Sequence, residues 1–199
     1  MFTGIIETIG TIEAVSEEGT NVNFTISSDV SQDLKIDQSI AHDGVCLTVV
    51  DLGKDRHSVT AIAETLEKTA LSSWEIGRQV NLERCMPMTG RFDGHVVQGH
   101  VDTVGTVTKI VDEDGSWRFY ISHPVGEDFL TVAKGSITIN GVSLTVVDSN
   151  SDSFSVAIIP YTYEHTGFKN LKEGDKVNIE FDIIGKYVKK LMKRSGLPT

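Results

Sequence analysis

The sequence is poor in cysteine: Cys46 and Cys85 are the only two among its 199 residues. They form no Cys-x-x-Cys pair and belong to no cluster with metal-ligand spacing, which argues against a disulfide framework and against a cysteine-based metal site. Because unpaired thiols are typical of a reducing compartment, we predict a cytoplasmic protein.

Basic residues are scarce relative to acidic ones, with 18 Lys and Arg against 28 Asp and Glu and a net charge of −10 at pH 7. This balance argues against nucleic acid or an anionic membrane as the main partner. No stretch approaches the roughly 20 apolar residues that span a bilayer. The first residues also lack the basic segment and apolar run of a signal peptide, so we expect neither a membrane span nor a leader.

The fingerprints of several common enzyme classes are missing. There is no Gly-x-Gly-x-x-Gly, no phosphate-binding loop and no Gly-x-Ser-x-Gly, which argues against the usual nucleotide-binding and hydrolase folds. Two histidines five positions apart, His95 and His100, lie near Asp93 and Asp102. No third nitrogen or sulfur ligand follows at a usual spacing, so we expect no metal site.

The sequence does contain a repeat. Residues 44–51 (GVCLTVVD) return as residues 141–148 (GVSLTVVD), a shift of 141 − 44 = 97, with Ser143 in place of Cys46. Other segments recur at similar shifts, among them residues 80–83 with 177–180 and residues 4–12 with 99–107. We infer an internal duplication, with domains at residues 1–90 and 91–182 and a C-terminal segment at residues 183–199.

Alternating apolar residues within the repeat predict β-strands. Val45, Leu47 and Val49 share one face, which leaves Cys46 and Thr48 together on the other. The apolar phase slips at the glycine that opens each copy, which predicts a bulge or sharp bend there. About six such short strands per half fit a small closed antiparallel barrel. The clearest alternating runs are residues 22–26, 58–62, 117–121, 154–159 and 176–181.

The last segment has a different period. Apolar residues at 184, 187, 188 and 191 form a helical stripe that has no counterpart in the first half. A lone helix of about 12 residues is marginal in water, so the stripe must pack on something. The sequence leaves open whether it packs on its own barrel or on copies of itself.

The places where the two copies differ indicate where one half has specialised. His100 aligns with Ile5, and Cys46 aligns with Ser143. An imidazole titrates near neutral pH, so His100 could act as an acid or base. A structural role for either the histidine or the cysteine stays open at this point.

Several motifs in fixed order resemble the riboflavin synthase family of the α-chain type, whose chains consist of lumazine-binding domains. The resemblance extends over nearly the whole chain. The motifs are MFTGII (residues 1–6), GVCLTV (44–49), ETL (64–66), NLER (81–84), GHVVQGHVD (94–102), KGSITINGVSLTV (134–146) and NIEFD (178–182).

The resemblance implies an all-β chain of two tandem six-stranded antiparallel barrels, with a C-terminal α-helix that holds a homotrimer together. It implies a dismutation in which two molecules of 6,7-dimethyl-8-ribityllumazine give riboflavin and 5-amino-6-ribitylamino-uracil by transfer of a four-carbon unit. No metal or redox cofactor is implied. An association with lumazine synthase is implied as well.

The resemblance also implies two substrate pockets, formed where the first barrel of one subunit faces the second barrel of a neighbour. Lys134 is expected to reach a ligand from the neighbouring chain. The first pocket would use Cys46, Leu47, Thr48, Thr60, Ala61, Ile62, Ala63, Glu64 and Thr65, covered by Gly99, His100 and Val101. The second would use Ser143, Leu144, Thr145, Ala157, Ile158, Ile159, Pro160, Tyr161 and Thr162, covered by Gly4, Ile5 and Ile6.

For the chemistry we predict that His100 transfers the proton of the acidified 7-methyl group, helped by Ser39 and Thr145. Cys46 would polarise or add to the ring, and Asp182 is a weaker catalytic candidate. Two positions depart from the family pattern: Val45 stands where some relatives have a second cysteine, and Tyr161 where others have His or Glu.

Two other functions share this scaffold. One is a non-catalytic lumazine- or flavin-binding protein of the antenna type, which typically lacks the reactive polar residues that this chain retains. The other is a flavoprotein oxidoreductase, which the absence of a dinucleotide fingerprint disfavours. The fold alone would not separate the three.

Overall fold

The computed structural model describes residues 1–126 and 128–195. Within them the chain forms two closed six-stranded antiparallel barrels followed by a helix, so the predicted fold class is confirmed. Residues 196–199, at the end of the predicted C-terminal segment, lie outside the described residues. No helix of the described chain is long and apolar enough to cross a membrane.

The first barrel uses the strands of the first repeat. They are β1 (Thr8–Glu18), β2 (Asn21–Ser27), β3 (Ser39–His42), β4 (Val45–Leu52), β5 (Arg56–Ala61) and β6 (Gln79–Arg84). They close in the order β1-β2-β5-β4-β3-β6. Val45, Leu47 and Val49 of β4 are buried in the barrel and Thr48 is exposed, as the alternation predicts. A short helix, α1 (Ala63–Lys68), follows β5.

The second barrel repeats this arrangement. Its strands are β7 (Thr103–Asp112), β8 (Trp117–Ser122), β9 (Ser136–Ile139), β10 (Val142–Ser149), β11 (Ser153–Ile158) and β12 (Lys176–Phe181), and α2 (Pro160–His165) follows β11. Read around the barrel, they run β7-β8-β11-β10-β9-β12, which is the order of the first barrel with each number raised by six. Short 3₁₀ helices lie at Asp29–Asp33, Ala70–Ser73 and Gly167–Asn170.

The bend expected at the start of each repeat is a two-residue hairpin turn. Asp43 and Gly44 join β3 to β4 with φ of 43° and 81°, and Asn140 and Gly141 join β9 to β10 with φ of 45° and 80°. Positive φ at both central residues is the type I′ pattern that Asp-Gly and Asn-Gly favour. The two turns also touch each other, because a Cβ on Gly44 would lie 2.7 Å from the Gly141 nitrogen.

Paired asparagines hold the barrels together around these turns. The Asn81 side chain donates to the Asn140 carbonyl at 2.8 Å, and the Asn178 side chain donates to the Asp43 carbonyl at 2.9 Å. Each asparagine oxygen also accepts a backbone N–H from the opposite barrel. These buried reciprocal bonds relate the barrels by an approximate two-fold axis.

The terminal helix α3 (Ile183–Arg194) is attached to the second barrel through its polar side. Lys186 pairs with Asp102 at 2.6 Å, and Lys189 pairs with Asp128 at 3.1 Å. The apolar stripe points away from the barrel: Ile184, Tyr187, Val188 and Leu191 are 50–64% exposed. Of the two arrangements that the sequence leaves open, the described chain does not pack the stripe on its own barrel as a whole, since only the half-exposed Val188 faces a cleft beside it.

Candidate functional site

The outer face of the β3–β4 hairpin carries the predicted polar residues of the first barrel. Ser39 pairs with Thr48 across the two strands, and the next outward pair is Ala41 with Cys46. The Ser39 side chain lies beside the Cys46 thiol and lowers its pKa. The second cysteine lies next to them, since the Cys85 thiol donates to the Ser39 carbonyl at 3.4 Å. The hairpin therefore presents a thiol and two hydroxyls on one surface.

An extended segment, residues 97–101, crosses this hairpin; we call it the second strap. The Cys46 N–H donates to the Gly99 carbonyl at 2.9 Å. Gly99 has φ of +79°, and a Cβ there would lie 2.6 Å from the Cys46 Cβ, so only glycine permits the approach. Val101 packs against the core of the first barrel, while His100 is exposed beside the hairpin.

The β9–β10 hairpin of the second barrel is covered in the same way by residues 2–6, the first strap. The Ser143 N–H donates to the Gly4 carbonyl at 2.8 Å. Gly4 has φ of +78° and would place a Cβ 2.6 Å from the Ser143 Cβ. Ile6 packs against the core of the second barrel and Ile5 is half exposed. Thr145 lies exposed on the same face as Ser143.

The predicted strand-end residues lie where β5 and β11 run into the short helices α1 and α2. Ala61 and Ile158 are buried in their barrels, so only their backbone groups can face a ligand. Thr60 donates to the Asn23 side chain at 2.6 Å. Tyr161 is exposed and stacks on His165, with ring centroids 4.1 Å apart. The exposed members of the two sets are Ile62, Ala63 and Glu64 in the first and Ala157, Ile159 and Pro160 in the second, while Thr65 and Thr162 are half-buried.

Burial changes the expected chemistry of Cys46. It raises the pKa of the thiol above its ordinary value, and the neighbouring Ser39 side chain opposes this rise only in part. The thiolate is the nucleophilic form of cysteine. Near neutral pH Cys46 is therefore a neutral thiol, which suits polarisation of a ring better than nucleophilic addition.

The predicted catalytic residues fall into two groups. Ser39, Cys46 and His100 lie at the hairpin and strap of the first barrel, whereas Thr145 and Asp182 belong to the second barrel and its helix junction. Within the described residues, no side-chain hydrogen bond links one group to the other. The Asp182 carboxylate caps α3 by accepting the Ile184 N–H at 2.9 Å.

Three polar residues at the straps are absent from the predicted set. Two are the carboxylates of Glu83 and Glu180, which bind strap amides. The third is His95, whose Nδ1 lies 2.7 Å from the Ser143 hydroxyl and whose Nε2 lies 3.1 Å from the Thr138 hydroxyl. Burial lowers the pKa of His95, with an opposing effect from Asp182, so it is neutral near pH 7.

Sequence signals for these three residues differ in strength. Glu83 and Glu180 occupy the same position, next to last, in the repeated strands β6 and β12, so a duplicated acid was available as a signal. His95 has no equivalent in the first half, and its spacing from His100 drew attention only as a metal signal; nothing in the sequence indicates its contact with Ser143. In the part of the chain that the structure describes, no three His, Cys, Asp or Glu residues are placed to hold a metal ion.

A cleft of about 800 Å³ lies between one edge of α3 and the second barrel. Its apolar lining includes Phe129, Val132, Val188 and Met192. The predicted Lys134 lies nearby at the surface, with its backbone held by a bond from its N–H to the Val146 carbonyl at 2.9 Å. Its side chain is exposed.

Comparison with known proteins identifies both halves of the chain. The family model described as Lumazine binding domain matches residues 3–85 and again residues 98–182. The chain is 40% identical to riboflavin synthase of Bacillus subtilis over 197 residues, which cover 98% of this chain and 92% of that protein. It is 38% identical to riboflavin synthase of Mycobacterium tuberculosis over 201 residues, which cover 98% and 100%.

Solved structures of LumP are similar as well. LumP complexed with 6,7-dimethyl-8-(1'-D-ribityl) lumazine superposes with a TM-score of 0.82 at 26% identity, covering 91% of this chain and 99% of that one. LumP complexed with riboflavin gives a TM-score of 0.83 at 26% identity, covering 90% and 98%.

Proposed function

The chain belongs to the riboflavin synthase family, and we propose that it catalyses the dismutation of two molecules of 6,7-dimethyl-8-ribityllumazine. One molecule gives up a four-carbon unit and leaves as 5-amino-6-ribitylamino-uracil, and the other gains that unit and becomes riboflavin. The full-length identity to riboflavin synthases supports this activity over that of a binding protein, because the LumP structures are more distant at 26% identity.

The observation that carries the proposal is the duplication of the strap-covered hairpin. Cys46 under Gly99 and Ser143 under Gly4 are held by equivalent bonds of 2.9 and 2.8 Å. A reaction between two identical molecules needs two similar pockets, and these two surfaces supply them. Holding both molecules in the reacting geometry turns an encounter in solution into a reaction within one complex, which can contribute roughly 7–11 kcal/mol to catalysis.

We assign the chemistry to the two groups of predicted residues. His100 is exposed beside the Cys46 hairpin and is our candidate for removing the 7-methyl proton, with hydroxyls of Ser39 and Thr145 in support. The neutral Cys46 thiol donates a hydrogen bond to the ring. Asp182 stays the secondary candidate because its carboxylate is engaged in capping α3.

A homotrimer is part of the same proposal. The apolar stripe of α3 is supported as the contact surface because its four side chains are 50–64% exposed although large and apolar. In such a trimer the first barrel of one subunit would face the second barrel of its neighbour, with Lys134 reaching across.

We further propose a cytoplasmic location, which the two free thiols support. We also propose an association with lumazine synthase, which co-elution of the two purified proteins would test.

The test is direct. Purified protein is mixed with 6,7-dimethyl-8-ribityllumazine, with no metal, nucleotide or oxygen added, and absorbance follows the replacement of the lumazine band by that of riboflavin. We expect one riboflavin for every two lumazines consumed. Tight binding without turnover would contradict the proposal and would assign the chain to the carrier class to which the LumP structures point.

A further inference from the structure

Two buried glutamates sit at equivalent places beneath the straps. Glu83 lies near the end of β6 in the first barrel and Glu180 near the end of β12 in the second, and only 4% and 2% of their surfaces are exposed. Each extends toward the strap that covers the other barrel. Neither residue has a place in the chemistry proposed above.

Glu180 binds the second strap through three consecutive backbone amides. Its Oε1 accepts the Gln98 N–H at 2.7 Å, and its Oε2 accepts the N–H groups of Gly99 and His100, both at 2.9 Å. The same strap segment accepts the Cys46 N–H. The carboxylate on the second barrel thus determines where the backbone of His100 lies above the first.

Glu83 makes the matching contacts with the first strap. Its Oε1 accepts the Thr3 N–H at 2.7 Å and the Thr3 hydroxyl at 2.9 Å, and its Oε2 accepts the Gly4 N–H at 2.9 Å. The straps also bond to each other, through the N–H and carbonyl groups of Phe2 and Val97 at 2.8 and 3.1 Å. The two covers therefore form one small structure that is anchored at both ends.

A carboxylate is the side chain that suits this task. Two ionised oxygens can accept three or four N–H groups at once, and hydrogen bonds to a charged acceptor are roughly twice as strong as neutral ones. A glutamine of the same shape offers one accepting oxygen and turns an NH₂ toward the remaining N–H donors. Burial raises the pKa of both carboxyls, and the amide bonds oppose that rise.

We propose that Glu83 and Glu180 are positioning residues of the two pockets, each fixing the strap that covers the opposite barrel, and that Glu180 acts on turnover by holding His100 in place. The predicted effect of Glu180 on turnover rests on the proposed function, whereas the anchoring of the straps does not. The straps differ in content, since the second carries His100 where the first carries Ile5. The same substitution at the two glutamates should therefore have different consequences.

The anchoring is tested without any substrate. Hydrogen exchange resolved by residue is compared for Glu180→Gln, Glu83→Gln and a control, Glu173→Gln, whose carboxylate accepts the Ile110 N–H on the exposed surface of the second barrel. We expect Glu180→Gln to speed exchange at residues 98–100 by about tenfold or more and to leave residues 3–4 unchanged, with the reverse for Glu83→Gln. Unchanged exchange at the targeted strap would overturn the anchoring.

The effect on function is tested with the lumazine. We expect Glu180→Gln to lower kcat by about 10²-fold without a comparable loss of lumazine affinity, because a displacement of about 1 Å can cost that much. Glu83→Gln should weaken lumazine binding at one of two sites more than it lowers kcat, and Glu173→Gln should change neither. Equal effects of the two strap variants would overturn the positioning role of Glu180.

Failure of the proposed function can be distinguished from failure of the anchoring. A wild-type protein that binds lumazine but does not convert it would remove the proposed activity, while the exchange experiment would still report on the anchors. Should Glu180→Gln not fold by circular dichroism, Glu180→Asp replaces it. That variant keeps the charge but is one methylene too short to reach all three amides, and the same exchange pattern is expected of it.

Discussion

His42 and His57 form a hydrogen-bonded pair in the interior of the first barrel. Their Nε2 atoms lie 2.8 Å apart, and His57 Nδ1 lies 2.8 Å from the Ser31 hydroxyl. Burial lowers the pKa of His57 to about 4. Burial also lowers the pKa of His42 well below 6.5, and the neighbouring His57 ring lowers the pKa of His42 further. Both rings are neutral in the folded protein. The second barrel has Ile139 and Phe154 at the equivalent positions, so only one half carries this pair.

The pair predicts a loss of stability in mild acid. In the unfolded chain these histidines take up protons near pH 6.5, but in the folded protein His57 resists until about pH 4. The stabilisation is therefore complete above pH 6.5 and declines as the pH falls toward 4. For His57 alone the expected loss between pH 7 and pH 5 is roughly 2 kcal/mol. Urea denaturation at several pH values measures it.

The matched control is a double variant, His42→Ile with His57→Phe, which gives the first barrel the residues of the second. Other buried groups also titrate in this range, and Asp43, whose pKa burial raises to about 6, has the opposite effect on stability. The quantity to compare is therefore the difference in unfolding free energy between variant and wild type at each pH. A difference that does not change between pH 7 and pH 5 would exclude the histidine pair as the cause.

At the scale of elements, the hairpins could be predicted from the sequence and the straps could be predicted only in part. Alternation and the Asp-Gly and Asn-Gly turns are local signals, and each lies within one repeat. The anchors are not local, since Glu83 binds Thr3 across 80 residues. His95 meets Ser143 only because the first strap and the second barrel converge there. No pattern within one segment reports such a contact.

The terminal helix shows the same limit. The stripe at 184, 187, 188 and 191 predicts a helix from periodicity alone, and α3 forms over Ile183–Arg194. Which way the stripe faces depends on the ion pairs of Lys186 and Lys189 with aspartates that lie far away in the sequence. These pairs turn the polar side toward the barrel. The apolar side is thereby left exposed in the single chain.

We predict that Leu191→Glu dissociates the proposed trimer without unfolding the barrels. Leu191 is 63% exposed, so the isolated chain loses little packing, whereas burying a leucine in a subunit contact contributes roughly 2 kcal/mol per copy. Light scattering coupled to size exclusion should show a monomer, and circular dichroism should show an unchanged β signal. Lumazine turnover should decrease as the trimer dissociates.

The control for this variant is Lys190→Glu, which places the same new side chain at an exposed polar position of α3 outside the stripe. It should leave the mass unchanged. A Leu191→Glu protein that keeps the mass of the wild type would show that the stripe is not the contact surface.

At the scale of the whole molecule, the duplication provides two related surfaces that are not interchangeable. The same strand order, turns, asparagine bridges and glutamate anchors recur in both halves. The differences concern reactive groups: a thiol against a hydroxyl at Cys46 and Ser143, and an imidazole against an alkyl chain at His100 and Ile5. Under the proposed function, each half would hold the same molecule and treat it differently.

This arrangement predicts complementation between inactive subunits. His100→Ala disables the first pocket and Thr145→Val the second, so a trimer of either variant alone should have little turnover. In a cyclic trimer that contains both, one contact of three joins an intact first barrel to an intact second barrel. Trimers purified through two different tags, one on each variant, should therefore recover about a third of wild-type turnover if the contacts contribute equally.

The same experiment distinguishes a site between subunits from a site within one chain. If the two pockets of a single chain cooperated, every chain of the mixed trimer would carry one disabled pocket, and no turnover would return. Mixed trimers that carry both tags, bind lumazine and stay inactive would thus contradict the shared site. The second control adds Leu191→Glu to both variants, which should dissociate the mixed trimers. Turnover that depends on a neighbouring subunit must then disappear.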